Sequence, residues 1–179
     1  RPDLRQVQRA GAAGTLACLD ADPPDMPDTL HATSPFPLIE TPRLLLRVPA
    51  LSDFDRYAEA MADPEASRHI GGVMVRAAAW RRFLQMPGAW LVQGFAMFSV
   101  IDKSDGRWLG QAGPWHPDGW NGREVGYSFH PDAWGRGLAS EAVQAALDFA
   151  FGVLGWEDVI HNIAPANIPP QRVARRGRD

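Results

Sequence analysis

The run Trp134-Gly135-Arg136-Gly137-Leu138-Ala139-Ser140-Glu141-Ala142 constrains the fold more than any other part of this chain. It follows a strand-like stretch, Glu124-Val125-Gly126-Tyr127-Ser128-Phe129, which His130-Pro131 brings to an end. After it, Val143, Ala146, Leu147, Ala150, Phe151 and Leu154 recur at the i, i+3, i+4 spacing of an amphipathic helix, with Gly155 as its cap. Gly135 and Gly137 allow tight backbone conformations and close approach to a ligand. The helix that they open points its unpaired amides and the positive end of its dipole back into the loop. Such an end holds a phosphate without a basic side chain, and Arg136 adds one. A glycine turn that merely starts a helix is the other reading of the same residues. The loop is not a Walker loop, because no Gly-Lys-Ser/Thr follows it. Nor is it a dinucleotide fingerprint, because Gly-x-Gly-x-x-Gly is absent and the strands before it look antiparallel.

The rest of the chain supplies the elements around this unit. Arg43-Leu44-Leu45-Leu46-Arg47 reads as a first strand, stopped by Pro49. Ser52 is the expected N-cap of a helix to about residue 61, with Asp53 and Asp55 at its positive end. A second helix is expected over 77–85, closed by Pro87-Gly88. Strands are expected at 90–92, 95–102 and 108–115, the last two joined by Ser104-Asp105-Gly106. Asp118-Gly119 and Asn121-Gly122 mark turns before Glu124. Residues 159–163 form one more short strand, and Pro169-Pro170 could open a last helix. A strand, two helices, an antiparallel meander, a glycine loop, a helix and a strand make an α+β layered domain.

Composition removes other classes. At 179 residues the chain suits one domain, and a net charge of −3 leaves no basic face for nucleic acid. Arg172, Arg175, Arg176 and Arg178 read as a solvated tail. The one cysteine, Cys18, permits no internal disulfide and fits a cytoplasmic protein. No apolar run is long enough to span a membrane. Residues 10–19 are too short and weakly hydrophobic for a signal peptide, with Asp20 and Asp22 following. Residues 1–35 are expected to be a disordered or non-native extension, and residues 36–179 the domain.

Glu124 to Pro131 followed by Trp134 to Ala142 closely resembles the GNAT superfamily of N-acetyltransferases, in the branch of ribosomal-protein N-terminal acetyltransferases. Glu40-Thr41-Pro42-Arg43-Leu44-Leu45-Leu46-Arg47 looks like that branch's first strand, and Asn167 sits where the family places an asparagine. Trp134, where the wider superfamily often has Gln or Arg, looks familiar in this branch. The resemblance implies a mixed, mainly antiparallel sheet flanked by helices in three layers, α/β/α. It implies acetyl-CoA as co-substrate, with no metal, and transfer of its acetyl group to a primary amine by direct attack. Amides around Trp134, Gly135, Arg136, Gly137, Leu138, Ala139 and Ser140 would take the pyrophosphate, with Phe129 and Asn167 completing the cofactor set. The pantetheine arm would lie between strands 125–129 and 159–163. The amine would enter past the 115–120 loop, where Trp115, His116 and Trp120 wall the site.

Glu124 is the preferred base, since some members carry a glutamate on this strand. A strand-end carboxylate paired with Arg123 or another cation is the alternative. Tyr127 completes the catalytic pair, although packing or lining the acyl pocket suits it better than protonating the leaving thiolate. His130 reads as a turn residue, His161 as structural, and His116 as a second candidate base. The family pattern continues past the asparagine with a serine, a helix and two strands, whereas Pro170 and an arginine-rich end stand here. The expectation is a domain truncated at its C-terminus, lacking the last hairpin. The apolar edge at 159–163 would then invite pairing with a second copy of the chain. A non-catalytic acyl-CoA-binding or interaction domain is the alternative function.

Overall fold

The computed structural model describes residues 36–160. Five strands, β1 (Ile39–Glu40), β2 (Leu44–Arg47), β3 (Phe98–Asp102), β4 (Trp108–Trp115) and β5 (Glu124–Phe129), form one sheet in sequence order. Every neighbouring pair is antiparallel. Ile160 joins the far edge by a parallel bridge to Glu124, so the sheet is mixed. Beyond residue 160 the expected strand to Ile163, His161 and Asn167 lie outside the described residues, as does the expected loss of a C-terminal hairpin.

The period of two along the strands sorts side chains between two helical layers. Leu44, Leu46, Phe98 and Val100 pack toward α4 (Gln85–Gln93) and α5 (Leu138–Gly152), burying Trp90, Leu138, Ala142 and Phe149. Leu45, Ile101 and Trp108 pack on the other side against Phe54, Tyr57, Ala79 and Phe83 from α1 (Phe54–Ala62) and α3 (Arg76–Phe83). The β3–β4 register slips between Val100 and Ile101. That slip puts Trp108 opposite Ile101 and leaves Leu109 as an extra residue that joins the α5 side. The three-layer α+β architecture expected from the sequence is the observed one.

Three local expectations are corrected. Residues 90–92 are not a strand but the end of α4, which starts at Gln85 and passes through Pro87-Gly88. Pro87 falls in the first turn, where its missing N–H has no helical acceptor to lose. Trp90 then buries its ring against Phe98 at 4.8 Å and donates its indole N–H to the Met97 carbonyl at 3.1 Å. The helix is ended by Gly94 at φ +82° rather than by Gly88. Ser52 does not cap a helix, because residues 51–53 form a 3₁₀ turn after Ala50. The buried Asp53 accepts from the Ala50 N–H at 2.9 Å, from both Arg47 terminal nitrogens at 2.8 and 2.6 Å, and from the Ser99 hydroxyl at 2.7 Å. A short helix, α2 (Pro64–Ser67), is N-capped by Asp63 and was not expected.

Candidate active site

The loop after β5 takes its shape from turn chemistry. His130 Nδ1 accepts from the Asp132 N–H at 3.3 Å and starts a 3₁₀ turn over Pro131–Ala133, so His130 is the turn residue its sequence context suggests. Trp134 then folds back and donates its indole N–H to the Phe129 carbonyl at 3.0 Å. Phe129 itself is buried in the core beneath α5. Gly135 and Gly137 both lie in the left-handed region, at φ +74° and +75°, where a Cβ would be strained. α5 begins immediately, anchored by the buried Leu138, while Ala139 and Ser140 remain partly accessible.

This end of α5 fits a phosphate. The first helical bond runs from the Glu141 N–H to the Gly137 carbonyl at 3.3 Å. The amides of Leu138, Ala139 and Ser140 thus precede the ladder, and no side chain caps them. A Cβ on Gly135 would meet nothing within 4 Å, and one on Gly137 only an Arg43 terminal nitrogen at 3.7 Å. The Gly135 and Gly137 positions are therefore uncrowded, and the helix dipole favours an anion at this end of α5.

Charged side chains fix the flanks of the loop. The Arg136 guanidinium lies 3.3 Å from the Asp102 carboxylate, at the opposite end of β3 from Phe98. Hydrogen bonds from the Ser104 hydroxyl and N–H, with Arg136 beyond them, hold the Asp102 carboxyl below its usual range. Glu141, in the first turn of α5, accepts from the Thr41 hydroxyl at 2.6 Å, the Arg43 N–H at 2.9 Å and Arg43 Nε at 2.6 Å. Burial alone would raise this carboxyl, yet those donors hold it below the ordinary glutamate value.

At the other end of β5, the register sets Glu124 directly opposite Trp115 on the sheet face away from α5. Glu124 is only 8% exposed, and its Oε2 accepts the Trp120 indole N–H at 2.7 Å. Trp120 reaches it from a turn in which its own N–H bonds the Pro117 carbonyl. Arg123, the alternative partner weighed for Glu124, instead reaches toward Asp158 at 3.8 Å and lies over the Trp156 ring. His116 is exposed in the same loop. Met97 covers the neighbouring strand, its methyl 2.5 Å from where a Cβ on Gly126 would stand.

Tyr127 points the other way, toward the α5 side, where its ring meets Phe129 at 6.3 Å. Burial pushes its hydroxyl up to about 12. The pairing of β5 with β4 leaves the backbone N–H and C=O of Tyr127 facing the opposite edge, the one that Ile160 begins to cover.

The sequence of residues 43–177 matches the model of the acetyltransferase (GNAT) domain. This chain belongs to the GNAT acetyltransferase family. An uncharacterized N-acetyltransferase, p20 of Bacillus licheniformis, is 33% identical over 132 residues, 72% of this chain and 74% of that one. The crystal structure of an acetyltransferase from Agrobacterium tumefaciens superposes with a TM-score of 0.73 at 30% identity, covering 79% of this chain and 82% of the other. A ribosomal L7/L12 α-N-protein acetyltransferase in complex with coenzyme A shares the fold, with a TM-score of 0.66 at 16% identity over 79% and 82% of the two chains. As a GNAT enzyme, this chain is an acetyltransferase whose reaction class is acetyl transfer from acetyl-CoA to an amine.

Among the described residues, most of the expected site residues fall into two groups at the two ends of one six-residue strand, β5, with Tyr127 between them on the α5 side. Trp134 to Ser140 lie beyond its C-terminal end, and Glu124, Trp115 and Trp120 lie at its start. Thr41, Arg43, Glu141, Met97 and Gly126 join these groups without having been singled out individually. Thr41, Arg43 and Glu141 stood inside the recognised motifs, but nothing local in the sequence shows that they meet. Among the described residues, no group of three or more His, Cys, Asp or Glu could hold a metal ion, and no helix is long and apolar enough to cross a membrane.

Proposed function

We propose that this GNAT enzyme acetylates a primary amine, either a protein N-terminus or a small-molecule amine, by direct attack at the Glu124 end of β5. The observation that carries the reading is the span of β5 itself, with an open, glycine-flanked helix end after Phe129 and a buried carboxylate at Glu124. Acetyl-CoA supplies a thioester carbonyl as the electrophile. The amides from Gly135 to Ser140 hold its pyrophosphate, with the half-exposed Arg136 beside them; the Trp134 N–H, expected among these donors, is instead bound to the Pro131 carbonyl at 3.1 Å.

Glu124 removes the proton that an attacking amine must lose. An alkyl ammonium near pKa ~10 costs about 4 kcal/mol to deprotonate at neutral pH, whereas an α-amino group near ~8 costs about 1 kcal/mol. A positioned carboxylate is therefore worth most for an alkyl amine. The Trp120 indole fixes the direction of that carboxylate, and Trp115, His116 and Met97 border the approach. The Tyr127 N–H faces the edge where an oxyanion would need a donor. The Tyr127 side chain lines the acyl side. With its hydroxyl near 12, it gives up a proton less readily than an ordinary thiol near ~8.5 does, so it is a poor acid for a leaving thiolate.

The test is free-thiol release from acetyl-CoA over a panel of alkyl amines and peptide N-termini, comparing the wild type with Glu124→Gln. Loss of a general base costs roughly 10²–10⁴ in kcat/KM. That loss is expected for alkyl amines, smaller for peptides, with CoA affinity unchanged. A Glu124→Gln enzyme as fast as the wild type on every accepted amine removes Glu124 from the chemistry.

A further inference from the structure

Glu141 places a carboxylate beside the proposed pyrophosphate cradle. It sits in the first turn of α5, one residue past Ser140, so its negative charge lies close to where the amides would hold a pyrophosphate. An unbalanced carboxylate there would repel the ligand and would compete for the same helix end. The structure balances it with Arg43, the residue just before β2, 98 residues earlier.

Arg43 does more than pair with it. Its Nε donates to Glu141 Oε2 at 2.6 Å and its backbone N–H to Oε1 at 2.9 Å. One terminal nitrogen donates to the Arg136 carbonyl at 2.9 Å, between the two left-handed glycines. The other lies 3.7 Å from the Cβ position of Gly137. Thr41 adds a hydroxyl bond to Glu141 at 2.6 Å, and its own Oγ1 accepts the Leu44 N–H at 3.0 Å. One planar guanidinium thus bridges the carboxylate of α5 and the backbone of the loop, a two-point grip that a lysine ammonium cannot reproduce with fixed geometry.

We propose that Arg43 is a positioning residue for the CoA-binding loop. It neutralises Glu141 and holds the Arg136 carbonyl turned back toward β2, so that the amides opening α5 face the ligand. An exposed ion pair alone contributes little to stability, and the Arg43 side chain is 51% exposed. Its effect is therefore expected in ligand affinity rather than in folding. The inference rests on the reading of the α5 loop as the pyrophosphate cradle.

The experiment measures CoA affinity by calorimetry, and KM for acetyl-CoA and kcat by thiol release, in Arg43→Ala, Arg43→Lys and Gly137→Val. Losing a charge-assisted hydrogen bond to the loop and unmasking a carboxylate should weaken CoA binding roughly ten-fold or more in Arg43→Ala. Arg43→Lys should fall between Arg43→Ala and the wild type. KM for acetyl-CoA should rise while kcat at saturation stays near the wild-type value. If Arg43→Ala does not fold, Arg43→Lys alone decides, by the same rise in KM. Weakened binding in Gly137→Val with unchanged binding in a folded Arg43 variant would overturn the role of Arg43 and leave the cradle standing. Unchanged binding in Gly137→Val would remove the cradle and the inference with it. A fall in kcat with CoA affinity intact would also overturn it.

Discussion

Two glycines on the β4–β5 hairpin carry opposite expectations for the same one-methyl change. A Cβ on Gly110 would press on the Ser128 carbonyl oxygen and stand 2.9 Å from both Cα and Cγ of Phe129. Two of those three atoms are backbone of the paired strand, so no side-chain rotation relieves the contact. β4 and β5 must separate at the Gly110–Phe129 pair, beside the carbonyl that holds Trp134. Forced overpacking of a core costs about 1–3 kcal/mol, and a backbone clash belongs at the upper end, about 3 kcal/mol. For a domain of this size that corresponds to a fall of about 10 °C in Tm. A Cβ on Gly126 meets the Met97 methyl at 2.5 Å and Glu124 Oε1 at 3.4 Å. A methionine end is flexible and moves aside, so Gly126→Ala should cost less than about 1 kcal/mol. Its effect belongs on the acceptor face, as a changed KM for the amine with CoA affinity intact. Thermal unfolding of both variants with amine kinetics of Gly126→Ala is the assay. A Gly110→Ala protein as stable as Gly126→Ala would refute the packing argument for this hairpin.

Two further outcomes concern titration. The chain has two tyrosines, Tyr57 and Tyr127, and burial raises both hydroxyls above 10.0, Tyr127 to about 12. Stability from keeping them protonated is whole below pH 10 and drains as pH rises toward 12. Absorbance titration of the folded protein should show no phenolate near pH 10, and a normal tyrosine step there would contradict the burial. Glu141, held below its ordinary 4.5, contributes stability above that pH, which is lost as pH falls through its lower folded value. Glu141→Gln should thus be the less stable protein at pH 7, with the gap closing as pH falls below 4.5 in urea titrations; a gap unchanged with pH would contradict the hydrogen bonds from the Thr41 hydroxyl and the Arg43 backbone N–H that hold this carboxyl down.

The sequence made β4 and β5 legible to the residue, because apolar alternation there is bounded by Ser104-Asp105-Gly106 and by His130-Pro131. The start of α5 was legible for the same reason, since two glycines and a following apolar stripe admit few other structures. Trp90-Leu91-Val92 was not, because strand-favouring Trp and Val say nothing of the pocket formed by Phe98 and Phe149 that seats Trp90 in a helix. Asp53 looked like a favourable helix-start charge, and only the fold brings Arg47 and Ser99 to it. The same limit hid the partners of Glu124 and Glu141. A carboxylate's role depends on what meets it across the sheet, and the Arg43 and Thr41 that meet Glu141 lie 98 and 100 positions away.

The glycines after β5 either frame the cofactor or leave its phosphates to bind elsewhere. Calorimetric titration of CoA into the wild type and Gly137→Val measures this directly. A valine at φ +75° is strained by roughly 1–2 kcal/mol, which the fold should tolerate, and it adds bulk at the N-cap position of α5. The expected result is saturable binding by the wild type and none by a folded Gly137→Val. Equal affinity in the two proteins would place the phosphates elsewhere and contradict the assignment of the α5 loop.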